Sequence, residues 1–337
     1  MFPVDRAVMR RGEMASKYPV FDTDRLRILP LSQRRHDMSV SDVLKLGEAG
    51  ADFDHPDLAS LADAVAEAVR GGSPVVMFLG AHVIKQGLSR YVIDLIRRGW
   101  VSLLSANGAC AIHDYELSRI GATTESVAEY IKAGQFGLWA ETGELNDIVS
   151  AGSKADLGFG EAVGKVISQS SFQHKDVSIF AAAYECGVPA TIHIGVGYDI
   201  IHEHPNFDAP AAGAASYRDF LILAKVLESL EGGVVLCYGS AVMAPEVFLK
   251  ALAMARNVAA QGGRGISHFT SGVFDLLALE GDLHTEAPKD SPAYYFRPYK
   301  TLLVRAVSGG GRSCYIRGDH RATLPALHKL LVDRLGD

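Results

Sequence analysis

Features that would mark several classes of protein are missing from this 337-residue sequence. No stretch approaches the roughly 18 consecutive apolar residues of a membrane-spanning helix, so we expect no membrane partner. The segment Met1 to Gly12 is charged and has no long apolar core, so we expect no signal peptide. Lysine and arginine form no long block and the net charge is −6, which argues against nucleic acid as a partner.

Cysteine is scarce, and its positions do not suggest a disulfide framework. The four residues are Cys110, Cys186, Cys237 and Cys314, and no two of them form a C-x-x-C pair. Three of them lie in or beside apolar runs. This pattern is typical of reduced thiols in the core of a cytoplasmic protein, and we expect that location.

The sequence is rich instead in apolar residues (48%) and in glycine (34 residues), which allows a large buried core. Its pivotal stretch opens with the short apolar run Val75 to Leu79, which stops at Gly80 and predicts a strand buried on both faces. A helical pattern follows, and then a second strand, Val101 to Leu104, ends in the small-residue loop Ser105 to Ala109. This βαβ unit places both loops at the edge of the sheet where α/β proteins bind ligands.

The alternation of strand and helix continues to the end of the chain. Further strands are predicted at Ala190 to Ile194, Val234 to Tyr238, Gly265 to Phe269, Thr301 to Val307 and Ser313 to Ile316. We therefore predict an α/β fold with a doubly wound, mostly parallel, Rossmann-like sheet. Residues 48–337 form one domain in this interpretation. Residues 1–47 form an arm that packs on a neighbouring subunit or is a loosely ordered tail.

Three constellations of residues suggest chemistry. Small residues at the strand ends would let a backbone approach a dinucleotide, although Gly195-Val196-Gly197 lacks the third glycine of a G-x-G-x-x-G fingerprint, and tight turns are the alternative. A second group could bind a metal, relay protons or simply line a pocket: His193, Asp199, His202, Glu203 and His204. A third group could hold a general base or be a solvated first helical turn: Asn107, His113, Asp114 and Glu116.

Two later stretches are also candidates. The aromatic and basic run Tyr294 to Lys300 could wall a charged substrate or form a subunit contact. In the stretch Arg317 to Arg321, Asp319 is suited to cap a helix or to bind a ribose.

With these residues in hand, the chain resembles deoxyhypusine synthase. The stretch Val177 to Glu185 is similar to the family's Ser-Ile-Tyr-Ser-Ala-Ala-Tyr-Glu helix. Other stretches match its landmarks in the same order: Met77 to Gly80, Leu104 to Ala109, Val234 to Ala241, Thr270 to Asp275 and Tyr315 to Asp319. The family is a homotetrameric transferase on a Rossmann-like NAD fold, so the resemblance implies NAD as cofactor and a homo-oligomer, a dimer or a tetramer.

The resemblance also implies roles for particular residues. NAD would lie across Gly80, Ala81, His82, Ser105, Ala106, Asn107, Gly108, Gly239, Ser240, Ala241, Thr270, Ser271, Asp275 and Asp319. Asp199 would face a substrate amine, as a carboxylate should for a cation. The predicted catalytic residues are Asp199, His202, Asp114 and Lys300.

The sequence departs from the family at its catalytic centre. The Ser-Trp-Gly-Lys motif that carries the catalytic lysine is absent, and Lys300 is the nearest substitute. We therefore predict an NAD-dependent enzyme that oxidises a small amine or alcohol, with group transfer as a further step. Two alternatives stay open: a catalytically inert nucleotide-binding or regulatory protein, and a metal-dependent hydrolase or isomerase that uses the residues between His193 and His204.

Overall fold

The computed structural model describes residues 16–48 and 53–336. Eight strands lie in this part of the chain: β1 (Met38–Ser39), β2 (Val75–Leu79), β3 (Leu103–Asn107), β4 (Ala122–Thr123), β5 (Ala190–His193), β6 (Val234–Tyr238), β7 (Thr270–Asp275) and β8 (Arg312–Arg317). Six of them form one parallel sheet in the order β5-β3-β2-β6-β7-β8. Strands β1 and β4 form a separate antiparallel pair.

Helices connect the strands of the large sheet. They are α1 (Pro56–Gly71), α2 (His82–Lys85), α3 (Ser89–Arg97), α4 (Gly108–Ile120), α5 (Val127–Tyr130), α6 (Ala140–Lys154), α7 (Phe159–Gln169), α8 (Ile179–Glu185), α9 (Ala209–Leu227), α10 (Met243–Gln261) and α11 (His320–Leu335). A π-helical segment, Tyr299–Arg305, precedes β8. None of the helices in the described ranges is long and apolar enough to cross a membrane.

The central strand β2 shows why the sheet is covered on both faces. All five of its residues are buried. Val75, Met77 and Leu79 pack into one core cluster, which includes residues of α1, α3, α4 and α11. The alternate residues Val76 and Phe78 pack into a second cluster, with α10 and the π-helical segment. Because successive side chains of a strand point to opposite faces, a strand covered on both sides must be apolar throughout.

The order of the strands has a switch point between β2 and β6. From β2 the chain builds outward through β3 to β5, and it then returns to the other side of β2 to build β6, β7 and β8. This is the 3-2-1-4-5-6 order of the classical dinucleotide-binding fold. The doubly wound, parallel, Rossmann-like α/β fold predicted from the sequence is therefore confirmed.

Two strand predictions are wrong. The run Gly265 to Phe269 precedes β7 instead of forming it, and the strand begins at Thr270. The run Thr301 to Val307 is mostly π-helical, and its residues Leu302 and Leu303 are buried against the second core cluster. A short apolar run fits a buried helix as well as a buried strand, so periodicity does not separate the two.

The N-terminal segment is packed on its own chain. Leu31, Met38 and Val43 are buried, and β1 pairs with β4. Residues 29–44 of the predicted arm thus contact the rest of the same chain, and a role of the arm at a subunit contact stays a prediction. Residues 1–15 of the predicted arm lie outside the described residues.

Candidate functional site

The carboxyl ends of β2 and β6 meet at the switch point of the sheet. The amide of Gly80 donates a hydrogen bond to the carbonyl oxygen of Tyr238, 2.8 Å away. A Cβ on Gly80 would overlap the carbonyl of Gly239, and Gly239 itself has a positive φ of 63°. Only glycine allows two backbones to approach this closely here. Ligands of open α/β sheets bind in the crevice at such a switch point.

Polar side chains surround this crevice. Asp319 caps α11, since its Oδ1 accepts the amide of Arg321 at 2.7 Å. His320 is buried against the ring of Tyr238, and its Nδ1 has no hydrogen-bond partner in the described structure. Asp275 ends β7 and accepts the amides of the two residues that follow it. The exposed His82 begins α2.

A cavity of about 230 Å³ lies on the β3 side of this crevice. It is bounded by α2, the start of α4, and the loops around residues 124–136 and 198–200. Its lining residues are Arg34, Lys85, Ala109, Ile112, His113, Glu116, Thr124, Glu125, Val127, Phe136, Tyr198, Asp199 and Ile200. The cavity and the crevice therefore share the carboxyl edge of the sheet.

The carboxylate of Asp199 lies at the amino end of α4. Asn107 caps α4, and a Cβ on Gly108 would overlap the Asp199 carboxylate. The amide of Ala109 donates to that carboxylate, while burial raises the pKa of Asp199 to about 6. The Nε2 atom of His202 lies 3.9 Å from Asp199 Oδ2 and has no hydrogen-bond partner. Because burial lowers the pKa of His202, the pair is a neutral imidazole beside a carboxyl group that titrates near neutrality.

A buried ion pair forms the floor of the cavity. The guanidinium of Arg34 donates to both oxygens of Glu116, at 3.0 and 2.6 Å. The hydroxyls of Thr123 and Thr142 donate to the same carboxylate. The hydrogen bonds and charge of Arg34 outweigh burial and lower the pKa of Glu116. Since the Thr123 hydroxyl donates its proton to Glu116, the Nδ1 of His113 donates to the Thr123 oxygen, and burial lowers the pKa of His113 to about 4, so the ring is neutral at pH 7.

Three charged lining residues are not identifiable as site residues from the sequence: Arg34, Lys85 and Glu125. Arg34 lies in the segment interpreted as an arm, where the Arg34-Arg35 pair is the sole signal. Glu125 accepts the Gly137 amide and the Trp139 indole N–H, which ties two loops together at the rim. No local pattern links residues this far apart in the chain.

Several predicted cofactor residues lie elsewhere. Thr270 and Ser271 begin β7, pair with the start of β6, and are buried at the amino edge, opposite the crevice. Ser105 and Ala106 lie within β3 and are fully buried. Their prediction as loop residues is wrong, because β3 continues to Asn107. The remaining predicted residues lie at the carboxyl edge: Gly80, Ala81, His82, Asn107, Gly108, Gly239, Ser240, Ala241, Asp275 and Asp319.

Three of the four predicted catalytic residues do not line the cavity: His202 lies beside Asp199 outside the lining, and Lys300 and Asp114 lie elsewhere. Lys300 lies in the π-helical segment, which packs on β7 and β8, and its Nζ sits 3.3 Å from the centroid of the Tyr294 ring. Strands β7 and β8 lie at one edge of the sheet, whereas Asp199 follows β5 at the opposite edge. Neighbouring strands are about 4.8 Å apart, so several strands separate Lys300 from Asp199. Asp114 is buried and accepts the Ser178 hydroxyl and the Ile179 amide at the start of α8. Both carboxylate oxygens of Asp114 therefore accept hydrogen bonds from the amino end of α8.

The three histidines from the end of β5 to the loop before α9 have separate partners. His193 contacts the Thr191 hydroxyl at 3.1 Å, and His204 contacts the Gly137 carbonyl at 2.9 Å. His202 accepts the amide of Gly197 through Nδ1. Within residues 16–48 and 53–336, no three histidine, cysteine or acidic side chains are grouped as metal ligands would be.

The sequence matches no protein-family model and no curated protein. Among solved structures, the chain is similar to the ternary complex of AgrE with ornithine and NAD+ (18% identity, TM-score 0.48) over 83% of this chain and 33% of that one. It is similar to a putative LOR/SDH protein from Methanococcus maripaludis (14%, 0.49) over 86% and 74%. It is also similar to a putative deoxyhypusine synthase from Entamoeba histolytica (8%, 0.42) over 83% and 88%.

The chain thus spans about a third of the length of AgrE. All three identities are below 25% and all three TM-scores are below 0.5. These likenesses assign neither a family nor an activity to this chain.

Proposed function

We propose that this protein is an NAD-dependent enzyme that oxidises a small molecule held in the cavity beside the switch point. The observation that carries the proposal is the close approach of Gly80 to Gly239, just after the paired strands β2 and β6 end. The two glycines let the ends of β2 and β6 and the ring of His320 pack closely where the strand order reverses, and a dinucleotide binds at that place in this fold.

The residues at this edge fit a dinucleotide. The loop from Gly80 to His82 would lie under the pyrophosphate, as the first loop of this fold does. Gly239, Ser240 and Ala241 would line the other side, and Asp275 and Asp319 offer carboxylates for ribose hydroxyls. Bound NAD would supply the hydride acceptor for the reaction. Asn107 stands where a ribose-binding acid is common, but its side chain already caps α4 through the amide of Cys110.

In the cavity, Asp199 is the residue best placed to accept a proton. It lines the cavity, and burial raises the pKa of its carboxyl group to about 6, so it is mostly ionised at pH 7 and still a useful base. Oxidation of an amine or alcohol releases a hydride and a proton. The proton would pass to Asp199, whose carboxylate accepts the amide of Ala109, while the Nδ1 of His202 accepts the backbone amide of Asp199 and so positions this residue.

Transfer through a lysine imine, as in deoxyhypusine synthase, is not part of the proposal. Lys300 packs on Tyr294 beside β7 and β8, whereas the cavity lies between α2 and α4. This position also keeps open the alternative of a nucleotide-binding protein without turnover. The two differ in one measurement, because the alternative predicts NAD binding with no reduction of NAD by any amine or alcohol.

Titration calorimetry with NAD+ tests the proposal directly, together with an assay for NAD released from the denatured protein. The variant Ala81→Glu adds a carboxylate beside the proposed pyrophosphate position and should weaken NAD+ binding at least tenfold. Ala260→Glu makes the same change on an exposed residue at the end of α10, near the amino edge, and should have no effect. Absence of both retained cofactor and binding heat would overturn the proposal.

A further inference from the structure

We infer that the cavity beside the switch point binds an amino acid as its zwitterion, with the amine at Asp199 and the carboxylate at Lys85. The inference deepens the proposed function, on which it rests for the reaction, by naming the class of substrate. It depends on which charges of the cavity remain available to a ligand once the contacts within the protein are counted.

The charged residues of the lining do not all remain available. Arg34 and Glu116 neutralise each other through two hydrogen bonds, and two threonine hydroxyls complete the carboxylate. Both oxygens of Glu125 accept donors from the loop that contains Gly137. These groups form the wall of the cavity, and they offer a ligand little unsatisfied hydrogen-bonding capacity.

Lys85 and Asp199 differ from the rest of the charged lining. The ammonium of Lys85 has no ion pair or hydrogen bond with any described residue, although the residue is only partly exposed. Asp199 accepts the amide of Ala109 and forms no ion pair with a lysine or arginine of the described residues, and its neighbour His202 is neutral because burial lowers the pKa of the imidazole. A ligand that carries one cation and one anion satisfies both residues, whereas a diamine leaves Lys85 facing a second positive charge.

The remainder of the lining limits what such a ligand can be. Its other lining residues include the side chains of Ile112, Val127, Phe136 and Ile200. An aliphatic side chain suits these walls, and a volume of about 230 Å³ suits a molecule of a few carbon atoms. A small aliphatic amino acid meets both the charge and the apolar requirements.

The experiment is titration calorimetry at pH 7.5 with three matched ligands, carried out with and without saturating NAD+. The ligands are L-norvaline, butylamine, which lacks its carboxylate, and pentanoate, which lacks its amine. Norvaline should bind at least tenfold more tightly than either fragment. Lys85→Met should remove its advantage over butylamine, and Asp199→Asn its advantage over pentanoate, each by roughly tenfold to a hundredfold. Lys154→Met and Asp147→Asn alter exposed residues of α6 and are the matched controls.

The outcomes separate this inference from the proposed function. Norvaline binding without any NAD+ binding would support the amino acid site and overturn the NAD-dependent enzyme. NAD+ binding with no norvaline binding would support the NAD-dependent enzyme and overturn the amino acid site. Butylamine binding as tightly as norvaline, or unchanged selectivity in Lys85→Met, would overturn the zwitterion site.

Discussion

Arg34 and Glu116 form a bidentate ion pair in which each side chain is only 1% exposed. The two residues are 82 positions apart in the sequence. The pair therefore joins the N-terminal segment to the centre of α4, directly beneath the proposed substrate cavity. The guanidinium also lies over the ring of Trp139, 5.7 Å from its centroid.

Breaking this pair should be costly. Arg34→Met leaves the Glu116 carboxylate buried without its counter-charge, so we expect the free energy of unfolding to fall by about 3–5 kcal/mol. Urea unfolding at pH 7 measures the change. The neighbouring Arg35 is exposed, and Arg35→Met should alter stability by less than about 0.5 kcal/mol. A change of that small size in Arg34→Met would contradict the structural role of the pair.

The contact between Gly80 and Gly239 should also be visible in stability. In Gly80→Ala the new methyl group overlaps the Gly239 carbonyl, and we expect a loss of about 1–3 kcal/mol. Gly213 lies in α9, and a Cβ added to it would have no atom within 4 Å. Gly213→Ala is the control, and it should be neutral or stabilising by up to about 1 kcal/mol. Thermal unfolding of the two variants would show opposite shifts, and equal shifts would count against the close approach.

Asp219 should make stability depend on pH. It lies in α9 and accepts the amides of Gly160 and Ile192, at 3.0 and 2.7 Å. Burial raises its pKa to about 7, well above the value of an unfolded chain. The folded protein therefore binds more protons than the unfolded chain between about pH 4 and pH 7, and the contribution of Asp219 to stability falls as pH rises through this window.

In Asp219→Asn this loss should disappear. Relative to the variant, the wild-type protein should lose about 2–3 kcal/mol of unfolding free energy between pH 5 and pH 8. Denaturant unfolding at both pH values gives the difference, with the exposed Asp147→Asn as control. Parallel curves for the wild type and Asp219→Asn would show that Asp219 is ionised throughout.

Ligand binding should depend on Asp199. Because burial raises the pKa of this carboxyl group to about 6, it becomes neutral as pH falls below that value and no longer balances a ligand amine. Norvaline affinity measured by calorimetry should therefore fall from pH 7.5 to pH 5, by at most about tenfold per unit below pH 6. His113, with a pKa of about 4, stays neutral over most of this range. In Asp199→Asn the affinity should be low and independent of pH.

The parts of the fold that the sequence predicts are those with a strong local pattern. The run Val75 to Leu79 is apolar at every position because helices cover both faces of β2. These five consecutive residues are enough to predict the strand. Strand β7 has no such apolar run at its start. Thr270 and Ser271 have the composition of a loop, and Gly272 is needed because Leu61 of α1 packs where a side chain would be. That contact is between distant parts of the chain, so no local signal reveals it.

The candidate site divides in the same way. The glycines and acids that end strands, such as Gly80, Gly239 and Asp319, are predictable because parallel strands finish at one edge. Lys85 and Arg34 are not, because their roles depend on which charges are already paired in three dimensions. Lys300 is the opposite case, a residue that the sequence suggests for the site and the structure places outside it. Its closeness in sequence to the position of the family's lysine motif favours it, but the sheet places it beside β7 and β8, away from the cavity.

The pairing of Arg34 with Glu116 also affects the order in which the cavity is built. The segment that carries Arg34 is synthesised before its partners Glu116 and Trp139, which follow it by roughly a hundred residues. Contacts this distant in sequence form late, because the intervening loop must first be closed. The segment that carries Arg34 would thus dock late although it precedes its partners in the chain, and the pocket floor would be completed only after the helices around it.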